Sequence, residues 1–229
     1  MDNPSLNIRL KRNDLSPYLF HYTKGDEALE ILKLIICEMK LKSKLDRVCF
    51  TEAPLTSSIS LFKYFQRFQP TFYKPSLKPK FQPYGIGISR DFLFQKGARP
   101  VIYGTDEELK LIPYELQWRC LLLNPNCFDF SWLREWRIHS EEFDFSTCKD
   151  EIIVITQTKD ELTYLIGDEN FDVDFSYEYE TANAFPYIIT TKTRTFKGIA
   201  LDEIKENEFN SDNDITCHIS KQNTGEELD

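Results

Sequence analysis

The sequence predicts an α+β fold built as one domain over residues 1–202, followed by an acidic, polar tail over 203–229. Three observations predict it. Short runs rich in β-branched and aromatic residues alternate with amphipathic stretches that carry helix-start signals. No segment repeats, and no clean linker divides the chain. Of the 229 residues 41% are hydrophobic and 28% charged, enough apolar material at this length to bury a core.

The first strand is YLFHYT, residues 18–23, after which Thr23 with Asp26 three residues on makes a capping-box-like helix start. DEALEILKLIICEMK then carries Leu29, Leu32, Ile35, Ile36 and Met39 at helical spacing, an apolar stripe that must pack on something. RVCFTEAPL (47–55) is a second strand broken by Pro54, and SSISLFKYFQRF (57–68) a helix ahead of a Pro-rich loop at 69–83. YGIGISRDFL (84–93) and RPVIYGT (99–105) are strands joined through Gly97. A helix covers 106–122, started or interrupted by Pro113. REWRIHS (134–140) and DEIIVITQT (150–158) are strand-like, and Thr158 with Glu161 has capping-box spacing before KDELTYLI. PYIITTKTRTFKG (186–198) alternates as a half-buried strand does. From Glu203 the chain turns acidic and polar, the composition of a loosely ordered tail.

Charge and cysteine usage narrow the function classes. A net charge of −9 excludes whole-molecule, nonspecific attraction to nucleic acid, so any such binding needs a local patch. The six cysteines form no CxxC pair, no apolar run approaches membrane-spanning length, and the N-terminus lacks an apolar signal core. Together these predict a cytoplasmic protein, not bound to a membrane, with free thiols. Three histidines without HExxH or a Cys/His ligand spacing argue against a metal. Neither a Walker loop nor a GxSxG elbow is present, and no motif favours a nucleophile from Cys120 or Cys148 with His139.

Four local features carry chemistry. His21 and Thr23 close the first strand, where a neutral imidazole and a hydroxyl can bind sugar hydroxyls; a lone histidine is more often simply packed. Thr51, closing the second strand, is either a turn residue or a polar brace for a catalytic carboxylate. Ala53–Arg90 contains no acid but six bases, including Lys63, Arg67 and Lys74, interleaved with aromatic rings. That composition suits phosphates and stacked bases, or else a solvated basic face over a core. Gly85 and Gly87 bare one face of a strand, so that a flat ligand or another backbone can approach.

The series HYT before an amphipathic helix, VCFTEAPL, YGIGISRDF with GARPVIY, and REWRI resembles the abortive-infection AbiGi family of phage-defence proteins. More distantly it is similar to the ADP-ribosyltransferase fold of DarT-type toxins. The resemblance covers roughly residues 18–165. It implies an ADP-ribosyltransferase-like split, mixed or antiparallel sheet with flanking helices, and NAD as the consumed substrate. It also implies that His21 and Thr23, with Tyr22 between them, hold the NAD ribose and amide, and that Thr51 lies near the second site position. Tyr84 or Tyr103 becomes the nicotinamide stacker and Glu135 the catalytic acid. Arg137, on the strand face of Glu135, either orients that glutamate or grips the pyrophosphate. Lys63, Arg67 and Lys74 would meet a macromolecular acceptor, taken to be nucleic acid. An antitoxin or regulatory protein is the other expected partner. The alternative reading is a non-catalytic antitoxin or sensor of the same fold that binds a partner protein.

Overall fold

A computed structural model describes residues 8, 11–67, 81–124, 129–167, 174–176, 187–189, 196–204 and 212. Its centre is a seven-stranded mixed sheet ordered β13-β10-β4-β1-β3-β8-β5. In chain order these strands are β1 (Tyr18–Tyr22), β3 (Val48–Thr51), β4 (Gly85–Ser89), β5 (Arg99–Pro100), β8 (Glu135–Ile138), β10 (Ile152–Thr156) and β13 (Lys197–Ala200). Only the β10–β13 pairing is parallel; the other five are antiparallel. The chain is therefore α+β with a mostly antiparallel sheet, as its composition and periodicity predict.

Period-2 alternation divides the sheet's side chains between two cores. Leu19, Val48, Phe50, Ile86, Ile88, Trp136 and Ile138 face one core. Helix α1 (Ala28–Glu38) covers that face with Leu32 and Ile36, and α5 (Lys159–Ile166) with Leu162, Leu165 and Ile166. Phe20, Tyr22, Ile153 and Ile155 point the other way and meet Leu55 and Phe62 of α2 (Leu55–Arg67). Each such fully buried apolar side chain contributes roughly 1.5–3 kcal/mol. The small hairpin-like pair β2 (Lys40–Lys42) and β9 (Glu142–Asp144), not foreseen from the sequence, closes the first core through Leu41 and Phe143.

Several element boundaries depart from the periodicity. Thr23 does not cap α1: its hydroxyl donates to the Tyr84 carbonyl, and Gly25 at φ +84° turns the chain before the helix begins at Ala28. The strand expected over 84–93 ends at Ser89, whose hydroxyl caps α3 (Arg90–Gln95) by accepting Phe92 N–H. The helix expected over 106–122 is α4 (Asp106–Leu109), a 3-10 turn (Tyr114–Arg119) and β7 (Cys120–Leu122), which pairs parallel with β6 (Ile102–Gly104). Pro113 has no N–H for a helical bond and its ring blocks the preceding turn, so the helix cannot run through it. The Thr158–Glu161 capping box forms in both directions. At Gly85 an added Cβ would strike the His21 carbonyl and the Tyr22 backbone, so the bare strand face admits β1 and not a ligand.

The tail is packed at two described residues, Ile204 in the second core and Asp212. Asp212 is 3% exposed and accepts hydrogen bonds from Leu55 N (2.8 Å) and Thr56 N (3.1 Å), which caps α2 from a distance of more than 150 residues in sequence. β11 (Asp174–Ser176) and β12 (Tyr187–Ile189) form a further small antiparallel pair. Among the described residues no helix is long and apolar enough to cross a membrane.

A candidate active site where two strands part

β1 and β3 pair at Phe20↔Thr51, and β3 pairs with β8 so that Thr51 faces Glu135. Consecutive strand residues point to opposite faces. A cavity of about 480 Å³ nonetheless touches three consecutive residues of each strand: Phe20, His21 and Tyr22, and Cys49, Phe50 and Thr51. It therefore lies where the two strands separate beyond Phe20↔Thr51. Glu135 enters from β8, and Phe81, Phe130, Trp132 and Leu133 supply apolar walls.

His21 spans the gap. Its Nδ1–H donates to the Cys49 carbonyl (2.8 Å), which fixes the tautomer and leaves Nε2 as an acceptor. Burial holds the imidazole pKa below its ordinary value, helped by the charge of Lys24 and opposed by the hydrogen bond to Cys49. The ring is thus a neutral acceptor at pH 7. Tyr22 forms a wall, its ring stacked on Phe20 (5.8 Å) and edge-on to Phe62 (5.0 Å).

Glu135 is held by its own strand. Arg137 donates Nε–H to Glu135 Oε1 (2.7 Å) and Nη1–H to the carbonyls of Trp118 (2.8 Å) and Cys120 (2.9 Å). The guanidinium is thereby consumed in orientation of the carboxylate and does not line the cavity. Cys49 lies opposite Arg137 in the register, on the strand next to that of Glu135, and lines the cavity with it. Burial, and then the Glu135 charge, push its thiol up to about 11, so it is an un-ionised thiol and not a nucleophile.

The turn before Glu135 is pinned twice. The Thr51 hydroxyl donates to the Leu133 carbonyl and accepts Ala53 N–H (3.1 Å). Arg134 sits in the left-handed region (φ 46°), costly for a residue with a Cβ, and its guanidinium bonds the Asp14 carbonyl and Oδ2 (2.9 Å). Thr51 thus braces the backbone that presents the carboxylate and not the carboxylate itself.

His21, Tyr22, Thr51 and Glu135 converge on one cavity, although 30 residues separate His21 from Thr51 and 84 separate Thr51 from Glu135. Five other described residues named from the sequence do not line it: Thr23, Lys63, Tyr84, Tyr103 and Arg137. Thr23 is buried against the Tyr84 carbonyl. Tyr84 turns its hydroxyl to Glu161 of α5 (2.8 Å), so it is not placed to stack in this cavity. Tyr103 supports from behind, accepting Glu135 N–H (3.1 Å) and donating to the Phe130 carbonyl (3.3 Å). Arg137 acts through Glu135. Lys63 lies on α2, the side chain of Arg67 and all of Lys74 fall outside the described residues, and Phe62 is core.

Cys49, Lys24 and Trp132 were not singled out from the sequence. Cys49 carried one readable signal, its period-2 relation to Thr51. No metal-ligating group of His, Cys, Asp and Glu side chains forms among the described residues. Compared with known proteins, the chain matches no family model, no curated protein and no solved structure.

Proposed function

We propose that this chain is an NAD-consuming ADP-ribosyltransferase. The observation that carries the reading is the convergence of neutral His21, the Thr51-braced turn and the Arg137-oriented Glu135 on one aromatic-walled cavity at a parting of strands. Breaking the nicotinamide–ribose bond builds positive charge on the ribose, in an oxocarbenium-like transition state. A carboxylate held beside the ribose stabilises that charge, and it can take the proton of an acceptor. His21 Nε2 accepts a hydrogen bond from a ribose hydroxyl, and the Phe and Trp walls receive the planar nicotinamide. In this reading the stacking ring comes from those walls, not from Tyr84 or Tyr103.

The motif series resembling the AbiGi family supports a role in phage defence, and the basic, aromatic stretch after Ala53 supports a nucleic-acid acceptor. A specific observation favours a second reading, a module that binds a partner protein. Leu111, Tyr114, Leu116 and Leu122 are exposed apolar residues within one short excursion of the chain.

Purified protein incubated with labelled NAD and cell extract separates the two, with Glu135→Gln alongside. Label on RNA or DNA that disappears in the variant supports the transferase and its acceptor class together. Label on protein retains the enzyme and removes the nucleic-acid acceptor. Absence of labelling, of nicotinamide release and of NAD binding sinks the enzyme reading in favour of the binding module.

A further inference from the structure

Among the described side chains that line the cavity Lys24 is the one cation and Glu135 the one carboxylate. The chain carries 37 acidic against 28 basic residues, yet no carboxylate among the described residues pairs with Lys24. Its Nζ instead lies 5.3 Å from the centre of the Phe81 ring, itself a cavity wall. A ring face positions an ammonium without neutralising it, so the charge stays available to an anion.

The backbone beneath this lysine is fixed. Thr23 N–H donates to the Tyr84 carbonyl (2.8 Å), the Thr23 hydroxyl reaches the same oxygen (3.1 Å), and Gln82 N–H donates to the Thr23 carbonyl (3.0 Å). The last of these bonds also holds Phe81, the neighbour of Gln82, beside it. Cation and ring are therefore presented together in the lining of the cavity, with Lys24 reaching solvent.

We infer that Lys24, held over Phe81, is a phosphate-binding group, and that the cavity's ligand is a phosphorylated nucleoside rather than a free nucleoside or neutral sugar. This rests on the transferase reading only in taking NAD as that ligand. The lining suits it: the ribose end meets Glu135 and His21, where positive charge develops, and the pyrophosphate meets the ammonium of Lys24. A lysine serves phosphate as a point charge, without the fork an arginine would offer.

The test is calorimetric titration of the full chain, Lys24→Ala and Lys24→Arg with NAD, nicotinamide riboside and inorganic pyrophosphate. The expected result is that Lys24→Ala weakens NAD about tenfold, as loss of a charge-assisted contact does. It also flattens the salt dependence and leaves the riboside no weaker, while Lys24→Arg restores NAD binding. Equal NAD affinity in wild type and Lys24→Ala overturns the phosphate site and leaves the transferase reading standing. Equal weakening of the riboside also overturns it, because the lysine would then be shaping the cavity. Lys24-dependent pyrophosphate binding without NAD binding overturns the NAD reading and retains the site. Wild type that binds neither overturns both.

Discussion

Arg137 Nε lies 2.7 Å from Glu135 Oε1, and the two residues share one face of β8 while the same guanidinium ties that strand to the carbonyls of Trp118 and Cys120. With 6% and 13% of their side chains exposed, the pair is nearly dry. A charge left alone there loses its partner without regaining water. Arg137→Ala is accordingly expected to cost roughly 3–5 kcal/mol of stability. Glu135→Gln keeps an acceptor oxygen for Nε–H and costs less, but it removes the charge that the proposed reaction needs. Chemical denaturation and nicotinamide release measure the two effects separately; Glu135→Gln that turns over NAD at the wild-type rate would count against its catalytic role.

Thr51 provides a second test of how the carboxylate is presented. Thr51→Val is close in shape but deletes both the bond to the Leu133 carbonyl and the acceptor for Ala53 N–H. Leaving those buried groups unpaired costs about 1–3 kcal/mol. Because the turn ahead of Glu135 is what loosens, turnover is expected to fall more than NAD affinity, and Thr51→Ser is expected to restore both. Affinity and turnover falling in parallel would place Thr51 against the ligand instead.

His21 gives the site a defined acid response. Burial lowers its folded-state pKa below the ordinary histidine value of about 6.5, so below that pH the unfolded chain binds the extra proton and the folded chain does not. The stability it contributes is present above about pH 6.5 and is lost as pH falls through the depressed folded value. His21→Asn can keep a donor to the Cys49 carbonyl and does not titrate. The stability difference between wild type and His21→Asn is therefore expected to be constant above about pH 6.5 and to turn against the wild type below it, read by thermal melts across pH.

Asp212 acts in the opposite sense. Burial raises its folded-state pKa despite the hydrogen bonds from Leu55 and Thr56. The folded chain then holds a proton that the unfolded chain has released, so its contribution is present below the ordinary carboxylate pKa of about 4 and is lost as pH rises through the raised folded value. A wild-type stability curve that declines through that window, next to a flatter one for Asp212→Asn, is the expected outcome. Identical slopes would mean that this carboxylate is not buried at the start of α2 in solution.

Some of this molecule was legible residue by residue. The Thr158–Glu161 box, the stripe of Leu32 and Ile36, and the strand character of VCFT and EWRI all rest on interactions within a few residues, and each formed where its pattern lies. Thr23 and Tyr84 turn away from this cavity because their partners lie 61 and 77 positions away, beyond the reach of any local pattern. The same holds for Asp212, whose acidic surroundings in sequence read as tail although its carboxylate finds backbone donors 156 and 157 residues upstream.

Local sequence alone determined the α+β character, the order of the main strands and the residue types available for chemistry, because backbone preference and apolar periodicity act over one or two turns of chain. The tertiary structure decided which of those residues share a cavity. Register fixed Phe20 against Thr51 and Thr51 against Glu135, and the parting of β1 from β3 opened the space that His21 spans. Strand pairing depends on distant partners and on which face each side chain buries, so a shift of one residue would have turned Glu135 into the core and Trp136 toward the ligand.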